Sequence, residues 1–120
     1  MSIDLPAFDS TTANDVARVL GIPYEPWMQD WPLEAADHER VEEFLRHYHG
    51  ADRPEVRRGI VAVILCSLDK AFAAGPLPAV LLERAATVLK KHPELLEYWL
   101  CPEAKSEDEM FPITPWIRQL

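Results

Sequence analysis

From Ile60 to Leu68 the chain reads IVAVILCSL, and wound as a helix this run is apolar on nearly every side. A helix without a polar face must be surrounded by other elements, so the remaining segments have to supply neighbours all round it. The punctuation predicts a central helix running to about Ala74. Asp52 is placed to cap it, Pro54 falls in the first turn where a missing N–H removes nothing, and Gly75-Pro76 closes it.

The flanking segments carry the same kind of marks. Ser10, Thr11 or Thr12 can cap a first helix, with Asp15 able to close a capping box on Thr12. Ala13, Val16, Ala17 and Leu20 form its stripe, and Gly21 followed by Pro23 stops it. A second helix is predicted to begin between Pro32 and Asp37, with Val41, Phe44, Leu45 and Tyr48 on one face and Gly50 at its end. Pro78 opens a fourth, carrying Leu81, Leu82, Ala85, Val88 and Leu89 and ending in Lys90, Lys91 and His92, charges favourable at a helix C-terminus. Pro93 opens a fifth, short helix through Leu95, Leu96, Trp99 and Leu100, stopped by Pro102, with His92 as its expected cap. Thr114-Pro115-Trp116-Ile117 reads as a cap and a last short turn.

No segment alternates with a period of two over the length of a strand. The expected fold is all-α, a single-domain bundle of five to six short-to-medium helices with antiparallel neighbours. The domain spans residues 1–120, with 103–120 an acidic linker and C-terminal segment packed on or flanking the bundle. A chain of 120 residues buries roughly two-thirds of its unfolded surface and holds a core without disulfide or metal. Cys66 and Cys101 read accordingly as small buried hydrophobes in a reducing compartment. The N-terminus has acids where a signal peptide has bases, and no apolar run approaches the ~18 residues of a membrane span. A cytoplasmic protein is expected.

The net charge of −8 opposes nucleic acid and anionic lipid and favours a basic protein surface. Most of the excess lies in the first half, where residues 1–60 hold 12 acids and 6 bases. Within it, residues 22–45 (IPYEPWMQDWPLEAADHERVEEFL) gather Tyr24, Trp27, Trp31, three prolines and seven carboxylates against one base, Arg40. Rings supply contact area at low entropy cost and carboxylates steer encounter. The expected partner-binding residues are therefore Tyr24, Trp27, Asp30, Trp31, Glu34, Asp37, Glu39, Glu42 and Glu43. Trp27 and Trp31 are spaced i, i+4 and suit either an interface or a core. Arg53, Arg57 and Arg58 form a basic spot able to dock on the acidic second helix of the same chain.

No catalytic, cofactor or metal-binding residue is expected. The chain lacks a glycine-rich phosphate loop, G-x-S-x-G, H-E-x-x-H and E-x-x-H. His47 and His49 are two apart and face different sides of a helix, while Glu43 and His47 at i, i+4 read as a surface pair. Residues 12–22, TANDVARVLGI, resemble the first helix and turn of bacterial helix-turn-helix repressors, in which D-V-A-x-x-x-G-[IV] leads to a recognition helix. The likeness stops at Pro23, Tyr24, Glu25 and Pro26, which do not form a helix that enters a major groove.

These features favour a small acidic binding protein, most concretely an immunity-type inhibitor that neutralises a bacterial toxin or effector. A non-catalytic helical subunit or regulatory module of a larger assembly comes second, and a helix-turn-helix-like DNA-binding regulator third. The expected partner is a protein with a basic surface, not nucleic acid or membrane, met by a monomer or weak dimer.

Overall fold

The computed structural model describes residues 10–22, Tyr24, Pro32 and 35–120. In chain order come α1 (Ser10–Leu20), α2 (Val41–Gly50), α3 (Pro54–Ala74), α4 (Ala79–Leu89), α5 (Pro93–Leu100), a 3₁₀ turn (Glu107–Glu109) and α6 (Thr114–Ile117), with no strand among the described residues. The protein is an all-α bundle.

Helix α3 is the axis, with every residue from Gly59 to Leu68 buried. Helices α1, α2 and α5 pack against it, α4 packs on α2, and α6 on α5. Polar contacts fix the directions. Arg57 stacks over the Tyr48 ring while the Asp37 N–H reaches the Ser67 hydroxyl, so α2 and α3 run antiparallel. Arg53 binds Asp15 and Arg40 binds the Leu20 carbonyl, which makes α1 antiparallel to α2. Arg84 meets Glu42 and His92 meets Tyr48, so α4 runs parallel to α2 and opposite to α3. Among the described helices, the expected antiparallel arrangement is present at α1–α2, α2–α3 and α3–α4.

Burial holds these elements together. Phe44, Leu45, Ile60, Ile64, Leu68, Leu89, Leu95, Ile113 and Ile117 are all essentially inaccessible and belong to one cluster. Each such side chain contributes about 1.5–3 kcal/mol of transfer free energy. The two isoleucines of the C-terminal segment, Ile113 and Ile117, lie within this core. Aromatic rings seal that end, with Trp99 and Phe111 at 4.9 Å and Phe72 and Trp116 at 5.6 Å between centroids.

Helix α1 closes as its glycine predicts. Gly21 adopts φ +66, the Ile22 N–H reaches the Ala17 carbonyl at 2.9 Å, and the Gly21 N–H reaches Arg18. Several caps differ from the sequence expectation. Helix α2 begins at Val41, beyond the predicted window, because Asp37 turns the chain first: its Oδ1 accepts the Glu39 N–H and its carbonyl accepts the Arg40 N–H. Asp52 does not cap α3. Arg53 occupies that position without a side-chain capping bond, and Asp52 is exposed. His92 occupies the N-cap position of α5 as expected but makes no side-chain capping bond, because its ring is turned to the Tyr48 hydroxyl.

Thr114 is not the cap of α6 either. Its hydroxyl donates to the Trp99 carbonyl and accepts the Phe111 N–H, while the N-cap residue Ile113 donates its N–H to Asp69 of α3. For His92 and Thr114 a tertiary contact takes the side chain that local capping would use. The basic spot also divides. Arg53 pairs with Asp15 and Glu55, Arg58 with Glu94, and Arg57 with the Ala51 carbonyl, so none of them docks on the carboxylates of α2. Neither cysteine forms a disulfide, and Cys66 is buried while Cys101 is only half-buried, at φ +46.

Candidate functional site

The acidic segment enters α2 through a tight turn. Asp37 and Arg40 close that turn through backbone bonds, and the turn is tied down on α3 by the Ser67 hydroxyl, 3.0 Å from the Asp37 nitrogen, and by Lys70 on the Ala36 carbonyl. The carboxylates at this end of α2 are thus presented from a fixed backbone.

They do not share one fate. Asp37 is half-buried and its carboxylate shapes the turn. Glu43 is bound by Arg40, which holds its carboxyl below the usual carboxylate range, and His47 lies 3.7 Å away. The expected Glu43–His47 surface pair is therefore present. Glu42 projects to solvent, 70% exposed, and meets Arg84 of α4 at 3.0 Å. Glu39 stands out furthest at 81% exposed, and the His38 ring lies 4.0 Å from it. Tyr24 lies half-buried against the core. Trp27, Asp30, Trp31 and Glu34 lie outside the described residues.

The structure adds two residues to this surface. Arg40 does more than offset charge: its guanidinium binds Glu43 and the Leu20 carbonyl at the C-terminus of α1, and lies 5.0 Å from the Phe44 ring centroid. Its i, i+3 spacing to Glu43 is a signal visible in the sequence. Arg84 is the second, and nothing local announces it, since 42 positions separate it from Glu42. An exposed ion pair of this kind is worth about 0–1 kcal/mol. Glu42 can therefore exchange Arg84 for a cation of a partner at little cost.

A second surface feature lies at the α3–α4 corner. Between Lys70 and Glu83 the chain carries no charge. Ala73, Ala74, Pro76, Pro78 and Ala79 are exposed there, and Val80 is 68% exposed.

Among the described residues no cluster of His, Cys, Asp and Glu side chains is arranged to hold a metal ion, and no helix is long and apolar enough to cross a membrane. No family model, curated protein or solved structure matches the chain.

Proposed function

We propose that this protein is a small acidic binding protein that docks a basic partner on the carboxylates preceding and opening α2. Its most concrete form is an immunity-type inhibitor that neutralises a bacterial toxin or effector in the cytoplasm by covering it. The observation that carries this reading is the exposure of Glu39 and Glu42 on a turn pinned to the central helix. Carboxylates held on a rigid frame steer an oppositely charged partner without being ordered at the moment of contact. The aromatic residues Trp27 and Trp31, within the same stretch of sequence, supply the anchors. Neutralisation by coverage requires no catalytic group, only complementary charge and a few rings.

The test is made with a basic toxin-like protein encoded beside the gene for this chain. Wild-type protein is expected to protect cells from that toxin and to associate with it at a rate that falls steeply with salt. Glu39→Lys and Glu42→Lys together slow association and flatten the salt dependence, whereas Trp31→Ala mainly raises the dissociation rate. Wild-type rates in both variants would discard this surface as the contact.

A second reading is a non-catalytic helical subunit of a larger assembly. The uncharged, exposed corner around Val80 favours it. Binding through that corner would be insensitive to salt and weakened by Val80→Asp.

A further inference from the structure

Against the prevailing negative charge, one cleft of the molecule is lined by three arginines. It measures about 430 Å³ and opens between α1 and the corner that joins α2 to α3, within the roughly 300–1,000 Å³ range of small-molecule sites. Arg18, Arg46 and Arg53 line it against only two carboxylates, Asp15 and Asp52. It lies toward the C-terminal end of α2, whereas Glu39 and Glu42 lie at the N-terminal end, so it is separate from the surface proposed for the partner.

The three guanidiniums are not equally engaged. Arg53 is held at 2.8 Å by both Asp15 and Glu55, which fixes one wall. Arg18 reaches Asp15 only at 3.8 Å and is 72% exposed. Arg46 is exposed and makes no close hydrogen bond or ion pair among the described residues, its charge acting on Glu43 only from a distance. Two cationic forks therefore stand at one cleft with their donor capacity largely unused. A guanidinium matches a carboxylate in a two-point, charge-assisted geometry. Between them the walls are apolar: Val19 is exposed to solvent at the rim, and Ala51 and Val56 are buried beneath it.

We propose that this cleft binds a small organic carboxylate bearing an apolar or aromatic body, with Arg18 and Arg46 taking the carboxylate and Val19, Ala51 and Val56 taking the body. The combination decides the class. Cations alone would suit any anion, and the apolar walls alone would suit neutral hydrocarbons. The pair selects a ligand that has both parts.

Amide-resolved NMR titration of the whole chain at constant ionic strength tests this, with benzoate as probe and benzamide and inorganic phosphate as comparators. Benzoate is expected to give saturable shifts at Val19, His47, Gly50 and Asp52, with benzamide and phosphate much weaker. Arg18→Ala with Arg46→Ala should weaken benzoate by about tenfold or more, the scale of a lost charge-assisted bond. Arg84→Ala, at the other surface, should leave it unchanged. Circular dichroism confirms that both proteins are folded, as expected for exposed side chains. The proposal is overturned by the absence of saturable shifts at those amides, by an equal response to benzamide or to phosphate, or by an unchanged affinity in the double variant. None of these outcomes bears on the partner surface at Glu39 and Glu42.

Discussion

Gly59 of α3 lies so close to Val16 of α1 that a Cβ built at position 59 would fall 2.5 Å from Val16 Cγ2. Val16 is fully buried and β-branched, so it has little freedom to yield. Glycine inside a helix costs about 1 kcal/mol relative to alanine, and here that cost is accepted because it lets two helices approach. Gly59→Ala should therefore destabilise the protein: overpacking costs about 1–3 kcal/mol and exceeds the gain in helix propensity. Urea unfolding of Gly59→Ala, Val16→Ala and the double variant gives the coupling, expected to be large. An alanine variant as stable as the wild type would show that the two helices are not so closely apposed.

The Tyr48 hydroxyl lies 2.8 Å from His92 Nε2, and burial pushes the His92 pKa down even though Glu94, 3.9 Å away, pulls the other way. Arg57, Arg58 and Lys91 add to the depression. With the folded pKa below the unfolded value of about 6.5, the unfolded chain binds more protons in the window just below that value. This contribution to stability is complete above about pH 7 and is lost as the pH falls through the unfolded pKa toward the folded one. His92→Gln should flatten the dependence over that window in urea titrations at stepped pH. An unchanged slope would reassign it to other groups.

Asp69 behaves in the opposite sense. It is half-buried, and burial raises its pKa although it accepts the Ile113 N–H at 3.2 Å. The native state then holds the proton more tightly than the unfolded chain, so this contribution is complete below the unfolded pKa of about 3.9 and fades as pH rises through the higher folded value. Asp69→Asn keeps an acceptor for Ile113 and removes the charge, so at neutral pH it should be neutral or stabilising. Asp69→Ala loses the bond that starts α6 and should lower the melting temperature. The order Asn above Ala is the point to check.

Ile64 and Leu68 are wholly buried in the central helix. Replacing either with alanine should cost ~2–5 kcal/mol, the range for large-to-small changes in a packed core. Losses under about 1 kcal/mol for both would place α3 at the periphery.

Much of the architecture was legible along the chain. Gly21 and Gly75 follow observed helix C-termini and Pro54 and Pro93 open observed helices, because φ > 0 and the missing N–H act through local sterics. The apolar run at Ile60–Leu68 marked the buried helix for a similar reason, since an all-round apolar helix has no other stable place. The acidic segment was equally plain, but which of its carboxylates pair within the chain was not. Glu43 is bound by a base three positions away, Glu42 by one 42 positions away, and only the folded arrangement separates them from Glu39.

The sequence by itself determined where helices stop, which stripes turn inward and where negative charge accumulates, because these depend on neighbouring residues and on composition. Tertiary structure alone decided how polar side chains are spent. Asp69 caps α6 from another helix, His92 turns to Tyr48 instead of capping α5, and Arg53 ties α3 to Asp15. A local cap and a distant partner compete for the same hydrogen-bonding atom. The outcome rests on which partner packing brings within about 3 Å, and that distance is a property of the folded arrangement.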